Sequence, residues 1–115
     1  MIKYDGPAVD TEERKYWYQN GLLHRVDGPA VEYPDGSKKW CVNGALHRED
    51  GPAIEYADGS KQWWLNGKLH REDGPAIEDN MSKQWWLNGK YFGNEKPNNW
   101  KELVVLMQIE KIMNE

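Results

Sequence analysis

Three histidines, His24, His47 and His70, recur at intervals of 23 residues. Each is followed directly by an arginine (Arg25, Arg48 or Arg71) and then, two residues further on, by Asp27, Asp50 or Asp73. Imidazole, guanidinium and carboxylate are the groups that bind metals, move protons and grip phosphates, so the triplet invites all three readings. A shared metal requires ligands about 2 Å from one ion. If each repeat supplies two strands, equivalent histidines lie roughly 10 Å apart, and the column makes no metal site. Catalysis needs one unique constellation, whereas here near-identical residues return three times. The adjacent carboxylates Glu49-Asp50 and Glu72-Asp73 point apart in an extended segment and cannot divide acid and base roles on one substrate. No P-loop, nucleophile elbow, HExxH or dinucleotide fingerprint occurs. The expectation is a non-enzyme without cofactor or metal.

The elements that carry these residues form a tandem repeat. The tetrapeptide Asp-Gly-Pro-Ala stands at 5–8, 27–30, 50–53 and 73–76, and Lys-x-Trp-x-x-Asn-Gly at 15–21, 38–44, 61–67 and 83–89. Leu-His-Arg falls between them at 23–25, 46–48 and 69–71, which defines a unit of about 23 residues. Each unit holds two turn signals and two aromatic or β-branched stretches, the pattern of a β-meander. Asn-Gly predicts two-residue type I′ hairpins, and the internal Asp-Gly at 35–36 and 58–59 predicts a three-residue turn with glycine left-handed. At both ends of the array shorter segments, DTEERK and EDNMSK, replace that turn, which suggests that the array is complete.

Two-residue turns fix the pairing. They set Trp17 opposite His24, Trp40 opposite His47, Trp63 opposite His70 and Trp85 opposite Phe92 on one face. Tyr18, Cys41, Trp64 and Trp86 oppose Leu23, Leu46, Leu69 and Tyr91 on the other. A sheet apolar on both faces must be covered on both or present one to a partner. The histidines are expected to stack on the indoles, and the arginines to join a charge ladder that includes Lys38–Glu49 and Lys61–Glu72 pairs. Trp17, Trp40, Trp63, Trp85, His24, His47, His70, Arg25, Arg48 and Arg71 are therefore the candidate partner-binding residues. Asp-Gly-Pro-Ala reads as a bend in the second strand.

The unit resembles the MORN (membrane-occupation-and-recognition-nexus) repeat, and the looser MORN-like repeats of bacterial antitoxin, immunity and phage proteins, over roughly residues 2–90. The likeness rests on an aromatic strand, Asn-Gly, a basic stretch with glycine, a second strand and Asp-Gly-Ser. Leu-His-Arg-x-Asp-Gly-Pro-Ala stands where MORN repeats have a glycine-rich strand. The resemblance implies an open, twisted, elongated sheet that serves as a protein-contact surface and has no shared catalytic residues.

After Asn94 the pattern breaks at Pro97, and residues 98–115 read as a helix capped by Asn98 or Asn99. Trp100, Leu103, Val104 and Met107 form one stripe, and Val105, Leu106, Ile109, Ile112 and Met113 form a second nearly opposite. The first is expected to pack on the array. The second is a candidate oligomer interface, unless the helix lies in a groove that buries both. The predicted organisation is a four-unit β-hairpin array over 1–94 and a C-terminal α-helix over 95–115, packed on the array or on a second chain.

Composition bounds the function. The 115 residues carry 15 Lys+Arg against 19 Asp+Glu, a net charge of −4, which gives no general attraction to nucleic acid or anionic lipid. Hydrophobic content is only 38%, concentrated in seven Trp and six Tyr. The lone Cys41 forms no internal disulfide and reads as a small packed hydrophobe, and neither a signal peptide nor a membrane span is evident, so a cytoplasmic location is expected. The favoured reading is a non-catalytic protein-interaction module, such as a small inhibitor, antitoxin or phage anti-defence protein that masks an effector. A nucleotide or small-molecule binder using the Trp/His/Arg strip, and a structural adaptor that dimerises through the helix, are the alternatives.

Overall fold

A computed structural model describes residues 5–114. Among them the strands are β1 (Gly6–Val9), β2 (Lys15–Gln19), β3 (Leu22–Leu23), β4 (Val31–Glu32), β5 (Lys38–Lys39), β6 (Cys41–Val42) and β7 (Ala45–Leu46). They continue as β8 (Ile54–Glu55), β9 (Lys61–Gln62), β10 (Trp64–Leu65), β11 (Lys68–Leu69), β12 (Ile77–Glu78), β13 (Lys83–Leu87) and β14 (Lys90–Gly93), before helix α1 (Trp100–Met113). The molecule measures 47 × 37 × 19 Å, an open antiparallel sheet without closure into a barrel.

The order β1-β2-β4-β5-β8-β9-β12-β13-β14 is a meander in which β3 pairs with β2, while β6-β7 and β10-β11 are separate hairpins. The sheet thus has two tiers. Asn20, Asn43, Asn66 and Asn88 have φ between 49° and 53°, and each following glycine is also left-handed, as a type I′ turn requires. The register follows from these turns, with Trp64 opposite Leu69 and Cys41 opposite Leu46. Replacing Asn66 by Ala is expected to cost about 1 kcal/mol, because a Cβ without a local hydrogen-bonding group is placed in the left-handed region. Asn66→Gly should cost less, as urea denaturation will read.

The internal Asp-Gly turns close through Tyr33 N–H to Ser37 O and Tyr56 N–H to Ser60 O, both 2.9 Å, with Gly36 and Gly59 left-handed. At the shorter turn that replaces this one in the last unit, Asp79 accepts from the N–H groups of Met81 and Ser82 at 2.8 and 2.7 Å. Backbone N–H bonds of this kind hold the carboxyls of Asp58 (from Ser60) and Asp79 below their ordinary value of 3.8. A carboxyl whose folded value lies below its unfolded value stabilises fully above the latter, and that contribution is lost as pH falls through the former. The array should therefore lose stability below about pH 4, and Asp58→Asn with Asp79→Asn should flatten the decline in acid melting curves.

On one face of the main tier the register sets Lys15, Glu32, Lys38, Glu55, Lys61, Glu78 and Lys83 side by side, an alternating ladder. Lys38 and Lys61 therefore face Glu32, Glu55 and Glu78 rather than Glu49 and Glu72. The hairpin pairing ends at the tryptophan, where His47 N–H bonds Trp40 O at 3.0 Å, and the chain then turns away to the next main-tier strand. Ala30, Ala53 and Ala76 are fully buried, and each lies between two strands: Trp40 N–H donates to Ala53 O at 2.7 Å, and Ala30 N–H to Lys39 O at 2.8 Å. In the last unit Trp85 faces Gly93 instead of Phe92, because a register shift between Trp85 and Trp86 accompanies the left-handed Gly93 (φ 117°).

Asn99 precedes α1 without a side-chain cap. The helix is fixed by Trp100, which is 4% exposed. Its indole Nε1–H donates to the Glu72 carbonyl at 2.7 Å and its ring meets Trp85 and Phe92 edge-on at 5.0 and 5.8 Å. Gln108 Nε2 donates to the Glu72 carboxylate at 2.6 Å.

Candidate functional site: the Trp–His–Arg strip and the terminal helix

The repeated strip is built by the hairpin. Because His follows the strand opposite Trp, the next residue, Arg, is carried over the indole as the chain leaves the hairpin. The guanidinium carbon of Arg25 lies 4.0 Å from the ring centre of Trp17, that of Arg48 3.9 Å from Trp40, and that of Arg71 3.7 Å from Trp63. Each guanidinium is held in that place. Arg48 Nε donates to Asp50 at 3.1 Å and Nη1 to the Pro52 carbonyl at 3.1 Å, with Glu55 at 3.6 Å. Arg25 and Arg71 repeat the arrangement with Asp27, Pro29 and Glu32, and with Asp73, Pro75 and Glu78.

The glycine of Asp-Gly-Pro-Ala belongs to the same device. A Cβ on Gly28, Gly51 or Gly74 would stand 2.8, 2.9 or 2.7 Å from the guanidinium carbon, so the arginine is sandwiched between indole and bare backbone. Gly→Ala at an unstrained site normally stabilises by about 0.4–1 kcal/mol through the unfolded chain. Gly51→Ala should instead destabilise by about 1–2 kcal/mol by lifting Arg48 off Trp40. In an Arg48→Ala background the same change should become neutral or stabilising, which a double-mutant cycle reads.

The histidines pin one unit to the next. His24, His47 and His70 accept at Nδ1 from the backbone N–H groups of Asn43, Asn66 and Asn88 at 3.0, 2.9 and 2.8 Å. The proton therefore sits on Nε2, which in His70 faces Glu72 at 3.2 Å. Beside each pin a glycine N–H of the later turn donates to a leucine carbonyl of the earlier unit, as Gly67 does to Leu46 at 2.9 Å. In the first unit Asp5 takes the histidine's part, accepting from Asn20 N–H at 2.5 Å.

The ten strip residues are thus brought together, but largely with one another. Trp17, Trp40 and Trp63 each carry an arginine, the arginines hold carboxylates and carbonyls, and the histidine Nδ1 atoms hold backbone. Trp85 differs: Gly93 stands where the other units have arginine, and Trp100 of α1 covers the indole. Pairing only directly opposite residues overlooks the arginine stack. Its signal was there in the constant eight-residue Trp-to-Arg interval and in the joint loss of His and Arg from the unit that precedes the helix.

Burial raises the Cys41 thiol above its ordinary value, which keeps it protonated in the core. Among the described residues no group of three or more His, Cys, Asp or Glu is placed to hold a metal ion, and no helix is long and apolar enough to cross a membrane.

The second helical stripe lies open. Leu103, Val104 and Met107 are half-buried beside Trp100, whereas Val105, Leu106, Ile109, Ile112 and Met113 are between 46% and 78% exposed. The other large exposed side chains, such as Val9, Val26 and Met81, belong to separate turns and strands. Comparison with known protein families, characterised proteins and solved structures found no match to this chain.

Proposed function

We propose that the chain is a non-catalytic protein-interaction module in which the outward stripe of α1 makes the principal contact. The observation that carries this reading is the exposure of five contiguous aliphatic side chains on a helix whose opposite stripe holds the buried Trp100 and the half-buried Leu103, Val104 and Met107. An apolar patch of that kind on a small domain marks an interaction surface. Five side chains are too few for a free-standing symmetric dimer, which needs on the order of 1,200–2,000 Å² of total buried surface. A helix laid into a groove of a larger partner buries more per residue, and this favours a heterologous protein over a second copy. The MORN-like character of the repeat suggests the finer reading of a small inhibitor, antitoxin or anti-defence protein that masks an effector in a cytoplasmic setting.

The strip residues enter this reading as scaffold, so Trp or His variants would unsettle the array as well as any surface. The informative variants are Leu106→Glu and Ile109→Glu, which change exposed positions. Affinity capture from host lysate should recover one stoichiometric protein with the wild type and lose it with either variant. Sedimentation of the purified wild type should give a monomer; a dimer abolished by Ile109→Glu would instead assign the stripe to a second copy.

A further inference from the structure

Two clefts of about 610 and 590 Å³ recur one repeat apart on the strip face. The first lies between the Arg25–Gly28 segment and the Trp40, Val42 and His47 surface of the next unit. The second lies between Glu49–Pro52 and Trp63, Leu65 and His70. One repeat further on, the same two walls are Glu72–Pro75 and the Trp85, Leu87 and Phe92 surface. There the space is filled by the chain itself, since Trp100 and Gln108 of α1 bond Glu72 on one wall and the Trp100 ring meets Trp85 and Phe92 on the other. Gly74, Pro75 and Leu87 are buried, whereas the equivalent Gly51, Pro52 and Leu65 are only half-buried. The protein thus carries an occupied example of its own open clefts.

We propose that the cleft between the second and third units is a docking groove for an amphipathic helix of the partner. A tryptophan anchor of that helix lies between Pro52 and Trp63 and donates to the Glu49 carbonyl, as Trp100 does to Glu72. The groove differs from the filled position in one wall, because Arg71 lies over Trp63, whereas Gly93 places no arginine over Trp85. Its rim carries Glu49, Asp50, Glu72 and Asp73 against Arg48 and Arg71, and Glu49 is 84% exposed. That excess of negative charge selects an occupant with basic flanks. Helix α1 carries Lys101 and Lys111 against Glu102 and Glu110, so a second copy's helix lacks the required charge.

Position supports the same occupant. With two strands per unit, neighbouring clefts are about 10 Å apart, close to the 8–10 Å at which helices pack. Gln108 reaches Glu72, the wall between the two positions, and Val105 and Ile112 lie about 40–60° further round the helix. A helix in the open groove therefore lies along α1 and covers that edge of its exposed stripe. The inference rests on the proposed interaction function and places the partner's contact beside the stripe.

The test uses the full chain and a synthetic peptide of residues 97–115 with Glu102→Lys and Glu110→Lys, followed by backbone amide NMR. Saturable binding is expected, with shifts centred on Gly51, Trp63 and Leu65. Leu65→Glu in the protein, or Trp100→Ala in the peptide, should weaken it at least about tenfold, the loss typical of a central anchor. Glu49→Lys alters only an exposed carboxylate and should also weaken binding, which keeps the test readable if Leu65→Glu fails to fold. Shifts centred on Trp85, Leu87 and Phe92 would mean exchange for α1, and shifts confined to the α1 stripe would mean helix pairing; either overturns the proposal. So does the absence of binding at about 1 mM peptide. Because Ile109→Glu capture reads the stripe and this titration reads the groove, the two can fail separately.

Discussion

Replacing Arg48 by Leu is expected to destabilise the array by about 2–3 kcal/mol. The change removes a guanidinium stack of about 1–2 kcal/mol and strips the Pro52 carbonyl of its donor, a further 1 kcal/mol or so. The pair with Asp50 adds little, because that carboxylate is 88% exposed. Arg48→Lys should recover only a small part of the loss. An ammonium keeps the charge but cannot lie flat on Trp40 while donating to both Asp50 and Pro52 O. Since each unit touches only its neighbours, a weak central unit should also broaden the urea transition, as cooperativity between the two halves fails. An Arg48→Leu variant as stable as the wild type would remove the structural reading of the strip.

Trp100→Ala should have the larger effect on α1, at about 3–5 kcal/mol for a buried aromatic truncated in place. A helix of 14 residues is marginal alone, so without its anchor α1 should detach and unfold while the hairpins persist. The expected signature is loss of helical ellipticity together with rapid proteolysis beyond Gly93. Trp100→Phe retains a ring for Trp85 and Phe92 but leaves the Glu72 carbonyl without its indole donor, and should cost about 1 kcal/mol. If the two variants were equally mild, the packing of α1 in the third inter-repeat position would be wrong.

Much of the fold is legible in the chain because its turns are chemically explicit. Asn66-Gly67 admits one hairpin geometry, and from it the pairing of Trp64 with Leu69 follows by counting. What counting misses is where the chain leaves the hairpin. The expected Lys38–Glu49 and Lys61–Glu72 pairs extend a hairpin that ends at Trp40 and Trp63, and the sheet divides into two tiers at those residues. The histidines read as stacking partners because they stand opposite the indoles. The structure instead gives the indole to the next residue and turns Nδ1 of His47 to an Asn66 amide 19 residues away. The two stripes of α1 are visible on a helical wheel. Which part of the array it meets is not, since the deciding bond joins Trp100 to Glu72, 28 residues earlier, with no local signal.

The repeated Trp, His and Arg residues, conspicuous as they are, build the scaffold, and the proposed partner contact belongs to the helix at its end. The most direct test is the amount of partner that co-purifies with an Ile109→Glu variant shown by circular dichroism to keep its fold, relative to wild type. One stoichiometric protein is expected with the wild type, and its loss is expected from the variant. Full retention of that protein by the variant, or a wild type that recovers none, would contradict the proposed contact.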